Sequence, residues 1–180
     1  MTLNSPLYKV PLKFGAFGAL IVLIMFFLLF LTGENPLTEM GMFDFFVIPI
    51  FLFFAIKEFR DTYNGQLIEF WQGMTVGFVT YTSLALITTL VLFVFLQAVD
   101  SEIFDNYVIS KVEEVTNAKE KTIEQLGEVA YSEALAKVKT TSRSDLILDY
   151  LLKKLIVGLM LTIMIAVIMR RKPKEEDTLQ

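Results

Sequence analysis

The chain has 180 residues, of which 54% are hydrophobic, and its formal net charge at pH 7 is −4. This hydrophobic share exceeds that of soluble globular proteins and favours a single membrane domain over residues 1–180. The acidic balance argues against nucleic acid as a partner. The sequence has neither Cys nor His, which disfavours thiolate chemistry, the commonest general base and the commonest metal ligand. We therefore predict no enzymatic activity, no catalytic residues, no cofactor and no metal site.

Two apolar runs open the chain. Residues 14–31 are uncharged and long enough to cross a bilayer core of about 30 Å. A signal peptide is the alternative, but the run is too long for its apolar core and no small-residue cleavage site follows. The second run, 45–56, contains Pro49 and follows Asp44, which we place at the outer interface. We predict membrane spans over about 12–32 and 40–57.

Two further spans are predicted in the second half, over about 73–98 and 150–169. The first of these is the longest apolar run and has no charge. The second carries Lys153 and Lys154 near its outer end, and we expect both side chains to extend outward to the interface. Asp149 stands four residues before Lys153, which allows an ion pair on the helix surface. No ionisable residue is expected at mid-depth in any span.

The distribution of Lys and Arg predicts the orientation. Lys57 and Arg60 lie between the second and third spans, and Arg170 and Arg171 follow the fourth. Basic residues accumulate on the cytoplasmic side, so both termini are predicted to be cytoplasmic in a bacterial inner membrane. Residues 100–145 then face outward, and their single Gly and lack of Pro predict helix. The fold predicted is an all-α polytopic membrane protein with four transmembrane helices and an outward-facing helical insertion between the third and fourth.

The loop between the second and third spans carries a family resemblance. Its sequence, KEFRDTYNGQLIEFWQGMTVG over 57–77, resembles the hallmark of a family of uncharacterised membrane proteins catalogued as domain of unknown function 4199. The matching residues, here called the motif loop, are Lys57, Arg60, Asp61, Asn64, Gly65, Phe70 and Gly77. The resemblance implies a four-span protein, mainly from Bacteroidota, with no assigned activity. Gln66 and Trp71 stand where the pattern has Gly, and Gly73 where it has Ala.

Small residues at the start of the third span predict close helix packing. Gly73 and Gly77 form a GxxxG spacing, which lets a neighbouring helix approach. Thr75, Thr82 and Thr89 follow at intervals of seven and share one side of the helix. This stripe either lines a pore or packs with its hydroxyls bonded to backbone carbonyls, and we favour packing. In the loop between the second and third spans, Lys57, Arg60, Asp61 and Glu69 could bind an anionic headgroup or a phosphate. The alternative is interface anchoring with ion pairing, which needs no ligand.

The outward insertion suggests a protein partner. Glu120, Glu124 and Glu128 are spaced by four, which on one helix gives an acidic face. That face is either solvated or a docking ridge for a basic partner or a divalent cation.

Function is predicted more coarsely than fold. We favour an interaction, scaffold or accessory membrane subunit, with membrane lipid, a protein partner and further copies of the chain as its partners. A small oligomeric transporter or channel is the alternative, disfavoured because no charge is expected at mid-depth. A lipid-modifying enzyme using Asp44, Asp61 and Glu69 is the least favoured, since no nucleophile–base pair is available.

Overall fold

The protein is predominantly helical in the part that the structure describes, a computed structural model covering residues 5–98 and 101–171. This confirms the predicted all-α fold. In chain order the helices are α1 Pro6–Thr32, α2 Pro36–Glu58, α3 Phe70–Ala98, α4 Ser101–Asn117, α5 Lys119–Leu126, α6 Glu128–Lys139 and α7 Arg143–Met169, and a π-helical turn, Phe59–Tyr63, follows α2.

Local sequence signals set the helix boundaries. Gly33 ends α1 in the left-handed region with φ +84°, a conformation that glycine adopts without steric cost. Asn35 then caps α2 by accepting a hydrogen bond from the Leu37 amide at 3.1 Å. Because only three residues separate the two helices, α1 and α2 pack as an antiparallel pair. At the other end of the chain, Ser142 caps α7 in a reciprocal capping box with Asp145.

Three of the described helices are long and apolar enough to cross a membrane: α1, α3 and α7. They begin earlier than the predicted spans, at Pro6, Phe70 and Arg143. The predictions followed apolar runs, whereas backbone hydrogen bonding continues through the polar residues that flank them. The predicted second span falls within α2, a helix of 23 residues that also contains Glu39, Asp44 and Lys57.

α3 occupies the centre of the bundle. Half of its most apolar stretch is buried, compared with 28% for α1 and 22% for α7. Glycines allow both neighbours to approach it. A Cβ placed on Gly15 of α1 would clash with the Ser83 hydroxyl, and one on Gly77 would lie 2.9 Å from the Thr162 hydroxyl of α7. Gly73 faces Ala166 of α7 in the same way. Gly73 and Gly77, the two glycines predicted to form a packing site, therefore lie where α7 crosses α3.

The buried side chains form three clusters along the bundle. At the motif-loop end the cluster is Val10, Ala55, Ile56, Phe59, Ile68, Val76 and Met169. A middle cluster contains Ala19, Val22, Val47, Ile48, Leu52, Tyr81 and Leu84. At the opposite end it is Phe26, Leu37, Leu92, Phe95, Leu96, Leu146 and Tyr150. There the Phe26 and Phe95 rings meet edge to face with centroids 4.8 Å apart.

The insertion folds into three helices that pack on one another, with α6 against both α4 and α5. The predicted acidic face is wrong as a feature of one helix. Gly127 adopts φ +87° and ends α5, so Glu128 belongs to α6 while Glu120 and Glu124 belong to α5. A spacing of four places side chains together only while the helix continues, and the positive φ at Gly127 interrupts it.

Replacing Gly77 by Leu is expected to lower the thermal stability of the purified protein in detergent. The new side chain would enter the space of Thr162, and overpacking of this kind costs about 1–3 kcal/mol. Gly41→Leu is the matched control, because a Cβ at Gly41 has no described neighbour within 4 Å. Equal unfolding midpoints for the two variants would contradict the close α3–α7 contact.

Candidate functional site

A buried ion pair joins α2 to α7. The Lys154 Nζ atom lies 2.9 Å from Asp44 Oδ1, and the two residues are only 3% and 6% exposed. Charged groups are costly to remove from water, so they are seldom buried in a helical bundle unless they are paired. The pair is therefore the strongest polar feature of the bundle interior among the described residues.

The Lys154 ammonium group has a partner on three sides. Besides facing Asp44, it donates a hydrogen bond to Thr88 Oγ1 at 2.7 Å, and Thr88 in turn donates to the Leu84 carbonyl at 2.9 Å. The ammonium nitrogen also lies 4.0 Å from the centre of the Tyr150 ring, a cation–π distance. Residues of α2, α3 and α7 thus converge on one cation.

Two oxygens at this site remain without a hydrogen bond. The 2.9 Å contact to Lys154 gives Asp44 Oδ1 a charge partner, but its angles do not form a hydrogen bond. The Tyr150 hydroxyl is also enclosed, beside the Asp44 carboxylate and the Thr88 hydroxyl, without meeting the angles of a regular hydrogen bond. Both residues line a cavity of about 110 Å³ between α2 and α7, together with Lys154 and Gly41. We call this set of four side chains, Asp44, Thr88, Tyr150 and Lys154, the polar site.

The prediction that Lys154 extends outward to the interface is wrong, because its side chain is buried in the bundle. Successive residues of an α-helix point about 100° apart, so Lys153 faces out while Lys154 faces the bundle. Lys153 is exposed and pairs with Asp149 at 2.6 Å, as the spacing allowed. Lys154 stands 11 residues after Arg143 and 15 before Met169, which places it near the middle of α7.

A signal for the inward face of α7 was present in the sequence. The buried residues of this helix recur every four positions, and the run is Tyr150, Lys154, Gly158, Thr162 and Ala166. Small residues at that spacing mark a face that another helix approaches closely. Lys154 lies on the same stripe, so the pattern places its side chain toward α3. Nothing comparable in the sequence identifies Asp44 as its partner.

The predicted threonine stripe does not form the polar site. Thr75 donates to the Trp71 carbonyl at 2.9 Å, the backbone bond expected of a packed hydroxyl. The hydroxyl oxygens of Thr82 and Thr89 are enclosed, without a hydrogen-bond partner among the described residues. The residue that contacts Lys154 is Thr88, one position from the predicted stripe. The stripe therefore supplies no continuous polar path.

The motif loop is a structural connector at the other end of the bundle. The Asn64 amide donates to the Leu67 carbonyl at 2.7 Å and to Gln72 Oε1 at 2.9 Å, which ties the turn to the start of α3. Ile68 is buried and exchanges two backbone hydrogen bonds of 3.0 Å with Arg171 beyond α7. The loop thus joins the ends of α2, α3 and α7.

Positive φ angles shape this turn. Gly65 adopts φ +58° and Gln66 adopts φ +64°. Glycine occupies this region freely, whereas a residue with a side chain adopts it at a steric cost. Gln66 therefore holds its backbone conformation at a steric cost that Gly65 does not bear.

The charges of the motif loop largely engage one another. Arg60 Nε lies 2.7 Å from Asp61 Oδ1, and this guanidinium holds the pKa of the exposed Asp61 carboxyl below its usual range.

Lys13 of α1 contacts both carboxylate oxygens of Glu58 at 2.5 and 2.7 Å. Lys57 is exposed. Glu69 accepts a hydrogen bond from the Trp71 indole at 2.6 Å. The arrangement suits anchoring at an interface, and Lys57 and Arg171 are exposed basic residues at this end of the bundle.

Comparison with known proteins identifies the family. A family model described as "Protein of unknown function (DUF4199)" matches residues 13–171. The chain belongs to this family. The resemblance carried by the motif loop is thereby confirmed, and the matched segment also contains all four residues of the polar site. No curated protein and no solved structure matches the chain.

Substituting Lys154 by Met is expected to destabilise the protein far more than the same change at Lys153. Removing one member of a buried pair leaves the other charge uncompensated and costs roughly 3–5 kcal/mol, whereas the side chain of Lys153 is 72% exposed. The double substitution Asp44→Leu with Lys154→Met is expected to recover most of the loss, because neither charge remains buried. Thermal unfolding in one detergent measures all three variants. Equal midpoints for the two single variants would contradict the buried pair.

Proposed function

We propose that the chain is a four-span integral membrane protein of a bacterial inner membrane, with α2 as the fourth span and both termini cytoplasmic. Each membrane crossing places the chain on the opposite side of the bilayer. Three crossings would therefore leave the two termini on opposite sides, whereas four crossings place both on the same side. The inward position of Asp44 supports a spanning α2, because its charge is paired with Lys154 and is not presented to lipid. The basic residues of the motif loop and the α7 end support the orientation.

Single cysteines test this topology, and the chain offers a clean background because it has no native Cys. We expect an impermeant thiol reagent added outside intact cells to label Glu34→Cys and Asn117→Cys but not Thr62→Cys. All three positions are exposed in the structure. Permeabilised cells provide the control, in which Thr62→Cys is also labelled. Labelling of Thr62→Cys in intact cells would invert the orientation.

For its function, we propose an accessory or scaffold subunit that binds a partner protein through the outward insertion. The observation that carries the proposal is the corner between α5 and α6. Leu126 and Val129 flank Gly127 there and are each 71% exposed. Exposed Glu120, Glu124 and Glu128 lie on the same two helices. Adjacent apolar and acidic groups suit a protein partner with an apolar contact and basic residues around it.

The insertion is attached to the bundle, which supports a fixed presentation of this corner. Asn35 Nδ2 donates to the Ile103 carbonyl of α4 at 2.9 Å. Arg143 donates to the Leu96 carbonyl at 2.7 Å, and its guanidinium lies 5.9 Å from the Phe104 ring centre. These contacts join the first turns of α4 to α1–α2, α3 and α7. A binding surface held by a rigid scaffold loses less entropy when it associates.

Copurification tests the proposed partner. We expect tagged protein extracted from its native membrane to carry a stoichiometric partner that is lost in the Leu126→Ser, Val129→Ser double variant. Ile109→Ser is the matched control, since Ile109 is an exposed apolar residue of α4 elsewhere in the insertion. Retention of the same partner by the double variant would contradict docking at the α5–α6 corner. Recovery of the chain alone from native membranes would count against the accessory role itself.

A second candidate function, a small oligomeric transporter, is favoured by the polar site. Ionisable residues inside a membrane bundle commonly belong to ion or proton paths. The residues that would matter for transport are Asp44 and Lys154 and not the threonines that the sequence suggested. Neither candidate assigns catalysis to the chain.

A further inference from the structure

A cavity of about 630 Å³ lies between the insertion and the first half of α7. Its walls come from α4, α6 and α7, and Thr140 and Thr141 line it where α6 connects to α7. This volume is in the range of small-molecule sites in proteins. None of its lining residues belongs to the polar site or to the corner between α5 and α6, so the cavity is a separate feature of the molecule.

Lysines from three helices meet at this cavity. Lys111 of α4, Lys137 of α6 and Lys153 of α7 all line it. Lys137 is exposed, and it forms no ion pair with any residue that the structure describes. A cleft that gathers charges of one sign raises the local concentration of ligands of the opposite sign. The three ammonium groups therefore favour an anion in the cavity.

The other two lysines can exchange their present partners for such an anion. Lys111 contacts Glu114 at 2.5 Å and Lys153 contacts Asp149 at 2.6 Å, each within one turn of its own helix and partly open to solvent. Exposed pairs of this kind contribute little to stability. A phosphate group can accept charge-assisted hydrogen bonds from several ammonium groups at once. The remaining carboxylate of the lining, Asp145, is engaged in the capping box of α7.

Tyr107 of α4 adds a neutral donor to the same wall. Its hydroxyl forms no hydrogen bond with a described residue. Burial raises the pKa of this hydroxyl, and the charges of Lys111 and Lys153 act on it in the opposite direction. The phenol therefore stays protonated at neutral pH and can donate to a phosphate oxygen, close to two of the three lysines.

The α7 wall of the cavity is apolar and continues along the helix. Leu148 and Leu152 line the cavity and are 56% and 48% exposed. Exposed Ile156, Leu159 and Ile163 follow at helical spacing on the same side of α7, a helix apolar enough to cross a membrane. This stripe rises about 22 Å, which exceeds the half-thickness of about 15 Å of a bilayer core. In a membrane, the cavity therefore opens onto a surface that acyl chains cover.

We propose that this cavity, here called the lipid cleft, binds an anionic glycerophospholipid. The phosphate lies among Lys111, Lys137 and Lys153, and an acyl chain follows the apolar stripe of α7 from Leu148 to Ile163. A water-soluble phosphate compound would match the lysines but would leave the apolar wall uncovered. Only the leaflet, here the outer one, depends on the orientation proposed above. Binding itself depends neither on that orientation nor on a partner at the corner between α5 and α6.

The test is a lipid titration of the purified full chain in a non-ionic detergent, with bound lipid counted by native mass spectrometry. Phosphatidylglycerol is compared with phosphatidylcholine of the same acyl chains, and inorganic phosphate is the probe without an apolar part. We expect one phosphatidylglycerol to bind in preference to phosphatidylcholine, and more weakly as the ammonium acetate concentration rises, because salt screens exposed charges. Inorganic phosphate at equal concentration is expected not to displace it, since it gains nothing from the apolar wall.

Charge variants locate the headgroup. The triple variant Lys111→Gln, Lys137→Gln, Lys153→Gln is expected to weaken phosphatidylglycerol binding by about fivefold for each lysine removed. The matched control removes the same number of charges from exposed lysines of the same insertion that do not line the cleft, as Lys119→Gln, Lys121→Gln, Lys139→Gln. It is expected to bind as the wild type does. A loss of equal size in both triple variants would show attraction by net charge alone and would overturn the proposal.

A second pair of variants tests the cleft without changing any charge. Ala134 lines the cavity, so Ala134→Phe is expected to fill it and to abolish the preferred binding. Ala136→Phe is the control, because Ala136 is exposed on the same helix and does not line the cavity. Thermal unfolding midpoints verify that each variant is folded.

Three further results would reject the lipid cleft. One is unchanged phosphatidylglycerol binding in the folded Ala134→Phe variant. Another is wild-type protein that binds phosphatidylcholine as tightly as phosphatidylglycerol, which would remove the role of the lysines. The third is displacement of the lipid by inorganic phosphate at equal concentration, which would remove the role of the apolar wall. Because all of these measurements are made in detergent, they are independent of the cysteine labelling and copurification that test the proposed topology and partner.

Discussion

The bundle depends on how closely α1 and α7 approach α3. In lipid, helices gain little from the hydrophobic effect, and they associate through van der Waals packing and hydrogen bonds. Gly15 removes the side chain where α1 meets Ser83, and Gly73 and Gly77 do the same where α7 meets α3. These contacts fix the rotation of α7 about its own axis. That rotation turns Lys154 inward and leaves Lys153 outside, so the position of the buried charge follows from backbone approach.

Once Lys154 faces the interior, its charge requires compensation, and α2 provides it through Asp44. A buried ion pair is weak support for stability, because the cost of removing both charges from water offsets much of their attraction. The pair therefore adds less to stability than its close geometry suggests, whereas loss of one partner alone is costly. Tyr150 completes the enclosure, because its ring lies 4.0 Å from the Lys154 ammonium nitrogen.

The two ends of the molecule have different roles. The motif loop is occupied by internal bonds, from Asn64 to the start of α3 and from Ile68 to Arg171, so it acts as a connector. The insertion instead leaves apolar side chains exposed at Leu126 and Val129, on helices fixed to the bundle by Asn35 and Arg143. Helix α7 takes part in both regions, because it carries Lys154 and Tyr150 of the polar site and Arg143, which holds the insertion to the bundle.

The sequence by itself determined the helical class, the apolar stretches and the family, because these depend on composition, hydrophobic length and a local motif. The caps at Asn35 and Ser142 that the structure shows are likewise local, because their bonds reach only two or three residues along the chain. Only the tertiary structure shows that Glu124 and Glu128 lie on different helices. Glycine adopts positive and negative φ angles with similar ease, so the sequence does not specify the φ angle at Gly127. Only the tertiary structure shows that Lys154 contacts both Asp44, 110 residues away in the chain, and Thr88. These contacts depend on how three helices are rotated against one another, and hydropathy does not encode that rotation.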